Sequence, residues 1–311
     1  MTKVLIIDPM YHNIESLLTN IGVTPDYQPN ILKEDVFNLI HQYDGLILRS
    51  KMKLDEAFLR QAGNLKFIAR AGAGVDQIDE SILDEIGVTL LNAPEGNRDA
   101  VGEHAMGMLL CLLNKLHTGN QEVRQKQWQR EANRGWELGS KTVGIIGYGN
   151  MGKAFAKRLS GFGCRVLAYD KYKTRYGNEH AQEATLAQIQ AEAEVLSFHI
   201  PLNDENRYWV DETFLDQFKH NFYLINTARG EVIPLRVLRY GLETGKLLGA
   251  GLDVLENEKL ATMTEEQNQH FEYLAQQPNV LFTPHVAGWT YESYEKINRV
   301  LVQKIQDFLE K

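Results

Sequence analysis

Short apolar runs alternate along this chain with stretches in which apolar residues recur every three or four positions, and the alternation continues almost without a break. Runs that are apolar throughout read as strands covered on both faces, and the periodic stretches read as helices with one side on a sheet. In the first third the pattern predicts strands at 4–8, 45–49, 66–71 and 89–92, with helices such as 13–20 and 55–61 between them. Further on, strands end at Asp170, His199, Arg229, Asp253 and His285, and a last helix runs from Tyr291 to Leu309. Such alternation specifies an α/β fold built from doubly wound parallel sheets. The turn-rich run Asn92-Ala93-Pro94-Glu95-Gly96-Asn97 reads as a domain boundary, with Asn97 as the N-cap of a long helix from 98 to about 115.

One predicted strand leads straight into a phosphate-binding pattern. Val143-Gly144-Ile145-Ile146 is followed by Gly147-Tyr148-Gly149-Asn150-Met151-Gly152, and a helical pattern continues from 153 to 159. Gly147 allows the tight turn, Gly149 keeps side-chain bulk away from a pyrophosphate, and Gly152 lets the helix approach the strand. The free N–H groups of that helix face the anion. The next strand ends in Asp170, at the spacing where a carboxylate accepts ribose hydroxyls, which favours NAD over NADP; Lys171 and Lys173 beside it soften that preference.

Composition narrows the class of protein. With 311 residues, 24% of them charged and 43% hydrophobic, the chain has room for two ordinary domains. A net charge of -8 without a basic block argues against nucleic acid or an anionic membrane as partner. No apolar run reaches membrane-spanning length, and Met1-Thr2-Lys3 passes directly into the first strand, so a soluble cytoplasmic protein without a secretory leader is expected. Cys111 and Cys164 have no Cys or His at metal-ligand spacing and are expected to be buried, reduced thiols, with no metal site. The polar run at 121–129 contains Trp128 and is followed by Trp136. It is either an arm that packs on a second subunit or a surface helix of its own chain. The polar stretch at 264–269 reads as a solvated helix without chemistry.

Open α/β sheets bind ligands at the carboxyl ends of their strands. Arg229, Glu258 and His285 stand at or near such ends. Together they suit hydride transfer to a 2-keto acid: Arg229 holds the carboxylate and polarises the carbonyl, His285 supplies the proton, and Glu258 orients His285 and favours its protonated form. Singly, each also has an ordinary reading as a salt bridge, a solvated acid or a structural histidine.

The chain resembles the D-isomer-specific 2-hydroxyacid dehydrogenases and, within them, the phosphoglycerate dehydrogenases. The likeness rests on Arg70-Ala71-Gly72-Ala73-Gly74-Val75-Asp76, the glycine-rich turn with Asp170, His199-Ile200-Pro201-Leu202, Asn226-Thr227-Ala228-Arg229-Gly230, Gly251-Leu252-Asp253-Val254 followed by Glu258, and Thr283-Pro284-His285. It implies that Arg229, Glu258 and His285 are catalytic and that Asp253 lies beside the nicotinamide. By the same likeness Ala73, Tyr148, Asn150, Met151, His199, Ile200, Pro201, Thr227, Ala228 and Gly288 line the cofactor. A Rossmann NAD-binding domain at 96–290 would be inserted into a flavodoxin-like substrate domain made of 1–95 and 291–311, and members pair as homodimers through the region of Trp128.

The subfamily rests on Arg49 and Arg70, placed to grip a substrate phosphate, while the amides of Gly72, Ala73 and Gly74 would take the carboxylate together with Arg229, and His285 would meet the hydroxyl. As packing residues the two arginines would carry no such meaning. The implied reaction converts 3-phospho-D-glycerate to 3-phosphohydroxypyruvate, an entry to serine biosynthesis; reduction of glyoxylate or hydroxypyruvate is the alternative, and a non-catalytic NAD-sensing protein a third. Three departures bear on specificity: Lys259 where Pro usually follows the catalytic Glu, Asn150 where a basic residue is usual, and Trp289, which is expected to crowd the site. The chain ends at Lys311, so the small regulatory domain of many phosphoglycerate dehydrogenases, and serine feedback through it, are not expected.

Overall fold

Every strand pairing in the computed structural model, which describes residues Met1–Lys311, is parallel, and the strands form one sheet of five and one of seven. The chain divides into two units, Met1–Arg98 with Trp289–Lys311, and Asp99–Gly288. Both are doubly wound, as the strand–helix alternation predicts.

The first unit contains β1 (Lys3–Ile6), β2 (Thr24–Tyr27), β3 (Gly45–Leu48), β4 (Phe67–Arg70) and β5 (Thr89–Asn92), in the order β2-β1-β3-β4-β5. That is the flavodoxin-like order. Successive residues of β1 face opposite sides, because strand side chains alternate. Val4 and Ile6 join a core with Ile297, Leu301 and Ile305 of the last helix, Tyr291–Leu309, whereas Leu5 and Ile7 join one with Val36, Phe58 and Leu83. The C-terminal helix thus covers one face of the N-terminal sheet.

The second unit contains β6 (Thr142–Ile146), β7 (Arg165–Tyr169), β8 (Gln182–Glu183), β9 (Val195–Phe198), β10 (Phe222–Asn226), β11 (Leu247–Leu252) and β12 (Val280–Phe282), in the order β12-β11-β10-β9-β6-β7-β8. The strand order reverses between β6 and β9, and the glycine-rich turn leaves β6 at that switch point. Ile145 packs with Leu109, Phe155 and Ala156 on one face, and Ile146 with Leu196, Phe198 and Leu224 on the other.

Several expectations need correction. The long helix spans Pro94–Leu113, so Asn97 lies inside it; proline lacks the N–H that a first turn leaves unpaired, and its fixed φ suits that position. The unit boundary accordingly falls within this helix at 98/99 rather than 95/96, because a Cβ at Gly96 would lie 2.7 Å from the Ile297 backbone in the first unit. The second crossing lies at 288/289 rather than 290/291. Strands stop one to three residues before Asp170, His199, Arg229, Asp253 and His285, leaving those residues on the connecting loops. Cys111 and Cys164 are free but only half-buried, and the Cys111 Sγ lies 3.7 Å from the His117 Nδ1 on the following helix. As expected, the polar stretch at 264–269 is helical: it opens the helix Glu265–Ala275, capped by Thr264. No helix is long and apolar enough to cross a membrane.

Candidate active site

In the second unit the functional candidates cluster on the loops that leave the carboxyl ends of the strands. After β6, Gly147 adopts φ 92, and a Cβ on Gly152 would overlap the Gly147 carbonyl oxygen. Only glycines let this turn fold back on the helix Asn150–Leu159, whose N-cap is Gly149. Asp170, just past β7, accepts the Tyr148 N–H at 2.9 Å and the Tyr172 N–H at 3.1 Å. The Thr227 Oγ1 on the same edge is shielded from solvent and makes no hydrogen bond within the chain, which suits a hydroxyl that bonds a polar ligand group. Turn, carboxylate and orphaned hydroxyl fit a dinucleotide.

His199 lies beside the turn through its backbone, where a Cβ on Gly147 would come 2.5 Å from the His199 carbonyl oxygen, and its side chain turns inward. Its Nε2 lies 2.9 Å from the Ser197 Oγ, its ring packs on Phe155 at 5.5 Å, and its Nδ1 is buried without a partner. Burial pushes the imidazole down to about 3 from an ordinary 6.5.

Arg229 is placed by Asn226 at the end of β10. The Asn226 Oδ1 accepts the Ala228 N–H at 3.0 Å, and its Nδ2 donates to the Arg229 carbonyl at 3.0 Å, a local turn in which the side chain replaces a backbone partner. Gly230 follows because a Cβ there would overlap the Leu255 carbonyl group. That contact sets the loop carrying Arg229 against the loop that leads to Glu258.

His285 and Glu258 are brought together: the His285 Nδ1 lies 2.9 Å from the Glu258 Oε1 and 3.0 Å from its Oε2, both side chains about half exposed. His285 has φ 55, an uncommon conformation for a side-chain-bearing residue. Asp253 holds it there. Its Oδ1 accepts the Thr283 hydroxyl at 2.6 Å and the Val286 N–H at 2.9 Å, its Oδ2 accepts the Ala287 N–H at 2.9 Å, and its carbonyl accepts the His285 N–H at 2.8 Å. The carboxylate is buried and fully engaged by its own chain, so its observed work is to fix the loop that presents His285. His104 extends the network, with its Nε2 2.9 Å from the Thr283 Oγ1.

In the first unit, Arg49 follows β3 and Arg70 ends the adjacent β4, whose residue pairs with Leu48. Asp8, also buried, anchors the first of these loops: its Oδ2 accepts the N–H groups of Arg49 at 2.7 Å and of Ser50 and Lys51 at 3.2 Å. The Arg49 guanidinium lies 3.8 Å from the Trp289 ring centroid and 5.0 Å from that of Tyr294, within cation–π range. Trp289, expected to crowd the site, packs its ring over this arginine. Burial lowers the Arg49 pKa, opposed by Tyr294 and Asp8. Gly72 turns its N–H back onto the Arg70 carbonyl at 2.9 Å, so that amide is already used, while the N–H groups of Ala73 and Gly74 make no hydrogen bond within the chain.

Sequence reasoning missed Asp8 and His104 and gave Asn226 no role. Asn226 carried a signal, since Asn at the end of a strand favours a side-chain-mediated turn. The other two had none, because their partners lie 41 and 179 residues away.

Comparison with known proteins agrees with this geometry. The family model described as "D-isomer specific 2-hydroxyacid dehydrogenase, NAD binding domain" matches residues 106–287. The hydroxypyruvate reductase of Thermotoga maritima is 32% identical over 305 residues, covering 97% of this chain and 97% of that protein. The D-3-phosphoglycerate dehydrogenase of Archaeoglobus fulgidus is 28% identical over 308 residues, 97% of this chain but 56% of the relative's own length. The D-lactate dehydrogenase of Aquifex aeolicus, solved with NAD and lactic acid, matches with a TM-score of 0.83 at 26% identity, covering 99% of this chain and 96% of the other. The chain belongs to the D-isomer specific 2-hydroxyacid dehydrogenase family and is an NAD-dependent oxidoreductase.

Two outcomes follow from the buried groups. Asp253→Asn turns one acceptor oxygen toward donors as an amide; it should cost about 1–3 kcal/mol of stability and lower turnover roughly 10²-fold through displacement of His285. Denaturant titration and steady-state kinetics check this, and parental values in both would remove the clamp. For His199, the folded chain resists protonation down to about 3 while the unfolded chain protonates near 6.5. Stability present above 6.5 is therefore lost as pH falls toward 3, by up to about 1.4 kcal/mol per pH unit. Urea midpoints across that range should fall less steeply in His199→Asn; an identical slope would show that other groups govern the acid limb.

Proposed function

We propose that the chain interconverts 3-phospho-D-glycerate and 3-phosphohydroxypyruvate with NAD. The observation that carries this reading is the paired cation site on one edge of the five-stranded sheet: Arg49, its guanidinium 3.8 Å from the Trp289 ring centroid, and Arg70 at the end of the neighbouring strand. Arg presents its planar N–H groups bidentately to an oxyanion, and two cations on adjacent strands suit a phosphate dianion. The N–H groups of Ala73 and Gly74 take the substrate carboxylate, a smaller nest than one including Gly72.

Bound NAD supplies the acceptor or donor of hydride. The chain's own residues manage the proton and the charge. His285 faces Glu258 through Nδ1, so in the oxidative direction Nε2 takes the hydroxyl proton and in reduction returns it. Glu258 fixes the ring and balances the charge that forms on it. Arg229 polarises the carbonyl and stabilises the developing oxyanion.

Hydroxypyruvate is the second reading, favoured by the reductase of Thermotoga maritima, which matches over 97% of both chains. NADH oxidation measured with phosphohydroxypyruvate, hydroxypyruvate, glyoxylate and pyruvate separates the two. Phosphohydroxypyruvate should give the highest kcat/KM. Arg49→Ala and Arg70→Ala should each weaken it by about 1–3 kcal/mol and leave hydroxypyruvate nearly unchanged. His285→Ala should lower turnover on every acid about 10²–10⁴-fold. A preference for hydroxypyruvate, with both arginine variants affecting the two acids in proportion, would replace the phosphorylated substrate.

We further infer that two copies pair through residues 121–136. The helix Leu116–Arg124 buries no residue, and Trp128 and Trp136 are 77% and 58% exposed, more aromatic surface than a lone copy gains by showing. In sedimentation, Trp128→Arg should shift the population toward monomer; an unchanged dimer would place the interface elsewhere.

A further inference from the structure

Three cations follow β7, at Lys171, Lys173 and Arg175, and the structure distinguishes two of them sharply. The Lys171 Nζ is paired with the Glu205 Oε2 at 2.7 Å, and the Tyr172 hydroxyl donates to the same oxygen at 2.7 Å. Lys171 is therefore neutralised on the loop after β9. Lys173 turns the other way. Its Nζ donates to the Tyr148 carbonyl at 3.0 Å, lies 3.5 Å from the Asp170 Oδ2, and would lie 3.9 Å from a Cβ on Gly149, the N-cap of the helix behind the glycine-rich turn.

Asp170 alone would present a full negative charge to whatever sits on the ribose. Here its two oxygens are already engaged by the N–H groups of Tyr148 and Tyr172, and its charge is balanced by the adjoining ammonium. The relative exposure decides which charge a ligand meets: the Asp170 side chain is 10% exposed and that of Lys173 is 44%. An incoming 2′-phosphate encounters the ammonium before the carboxylate.

We propose that Lys173 is a specificity-determining residue that admits the 2′-phosphate of NADP(H), so this dehydrogenase takes both dinucleotides where Asp170 by itself would exclude one. The ammonium donates a charge-assisted hydrogen bond to the phosphate and screens it from Asp170, whose oxygens, each accepting one backbone N–H, keep a second lone pair for the ribose of NAD. The proposal concerns dinucleotide choice and is independent of which acid is reduced.

Binding of NADH and NADPH to the full chain, followed by nicotinamide fluorescence and by calorimetry without substrate, tests it. In the parent the two dissociation constants should lie within about tenfold of each other. Lys173→Met keeps the alkyl stem over the turn and removes the charge; it should weaken NADPH about tenfold or more and leave NADH within about twofold, the scale of one charge-assisted contact. Lys173→Arg should restore NADPH. Raising salt should weaken NADPH more than NADH in the parent, and that difference should shrink in Lys173→Met. Equal weakening of both dinucleotides would assign Lys173 to the shared pyrophosphate or to support of the turn. A parent that discriminates more than about a thousandfold, unaltered by Lys173→Met, would leave selection to Asp170. Either result overturns the proposal.

Discussion

Uniformly parallel pairing is the constraint on which the rest of this molecule depends. Parallel neighbours need a crossover between them, so helices cover the sheet faces and, within each sheet, every strand delivers its carboxyl end to one edge of that sheet. The apolar interior fixes the strands, and the loops at that edge are left to carry side chains whose roles are chemical. Arg49 after β3, Arg70 at the end of β4, the glycine-rich turn after β6, Asp170 after β7, Arg229 after β10 and His285 after β12 all follow from this rule. Chemistry is placed by topology before any individual contact is made.

Loops at such an edge still need anchoring, and the chain uses one device repeatedly. Asp8 beyond β1, Asn226 at the end of β10 and Asp253 beyond β11 are buried polar residues whose side chains bind the amides of a neighbouring or following loop. Burying a carboxylate is costly unless several donors meet it, and Asp253 meets a hydroxyl and two amide N–H groups. The requirement runs both ways: the acid is tolerated because the loop donates, and the loop keeps its shape because the acid accepts. The left-handed backbone of His285 is held within this arrangement.

The amino-acid pattern was most legible where local and long-range demands agree. The apolar run of β6 leading into Gly147-Tyr148-Gly149-Asn150-Met151-Gly152, and the amphipathic stretch that became the helix Tyr291–Leu309, appear much as their spacing specifies. β2 was not legible, because Thr24-Pro25-Asp26-Tyr27 is polar and contains proline; it is an edge strand paired only with β1, where a missing N–H is tolerated. The two-residue β8 is also an edge element, too short for a period to show. In the site, residue type and order singled out Arg229, Glu258 and His285. The packing of Arg49 against Trp289 was hidden, since the residues are joined only by folding and an arginine beside a strand has no local signature of stacking.

The helix Tyr291–Leu309 has a consequence for how the molecule is made. Its residues Ile297, Leu301 and Ile305 close the same apolar cluster as Val4, Ile6 and Phe67, yet they leave the ribosome only after the whole inserted unit. During synthesis the five-stranded sheet must wait with one greasy face bare while the whole seven-stranded unit is translated, an interval of some ten seconds or more at ordinary elongation rates. The host has all five strands in hand first, yet the inserted unit has its full set of elements before the host receives its covering helix. The order of birth is thus the reverse of the order of sequence: the unit that starts the chain is the last able to finish folding.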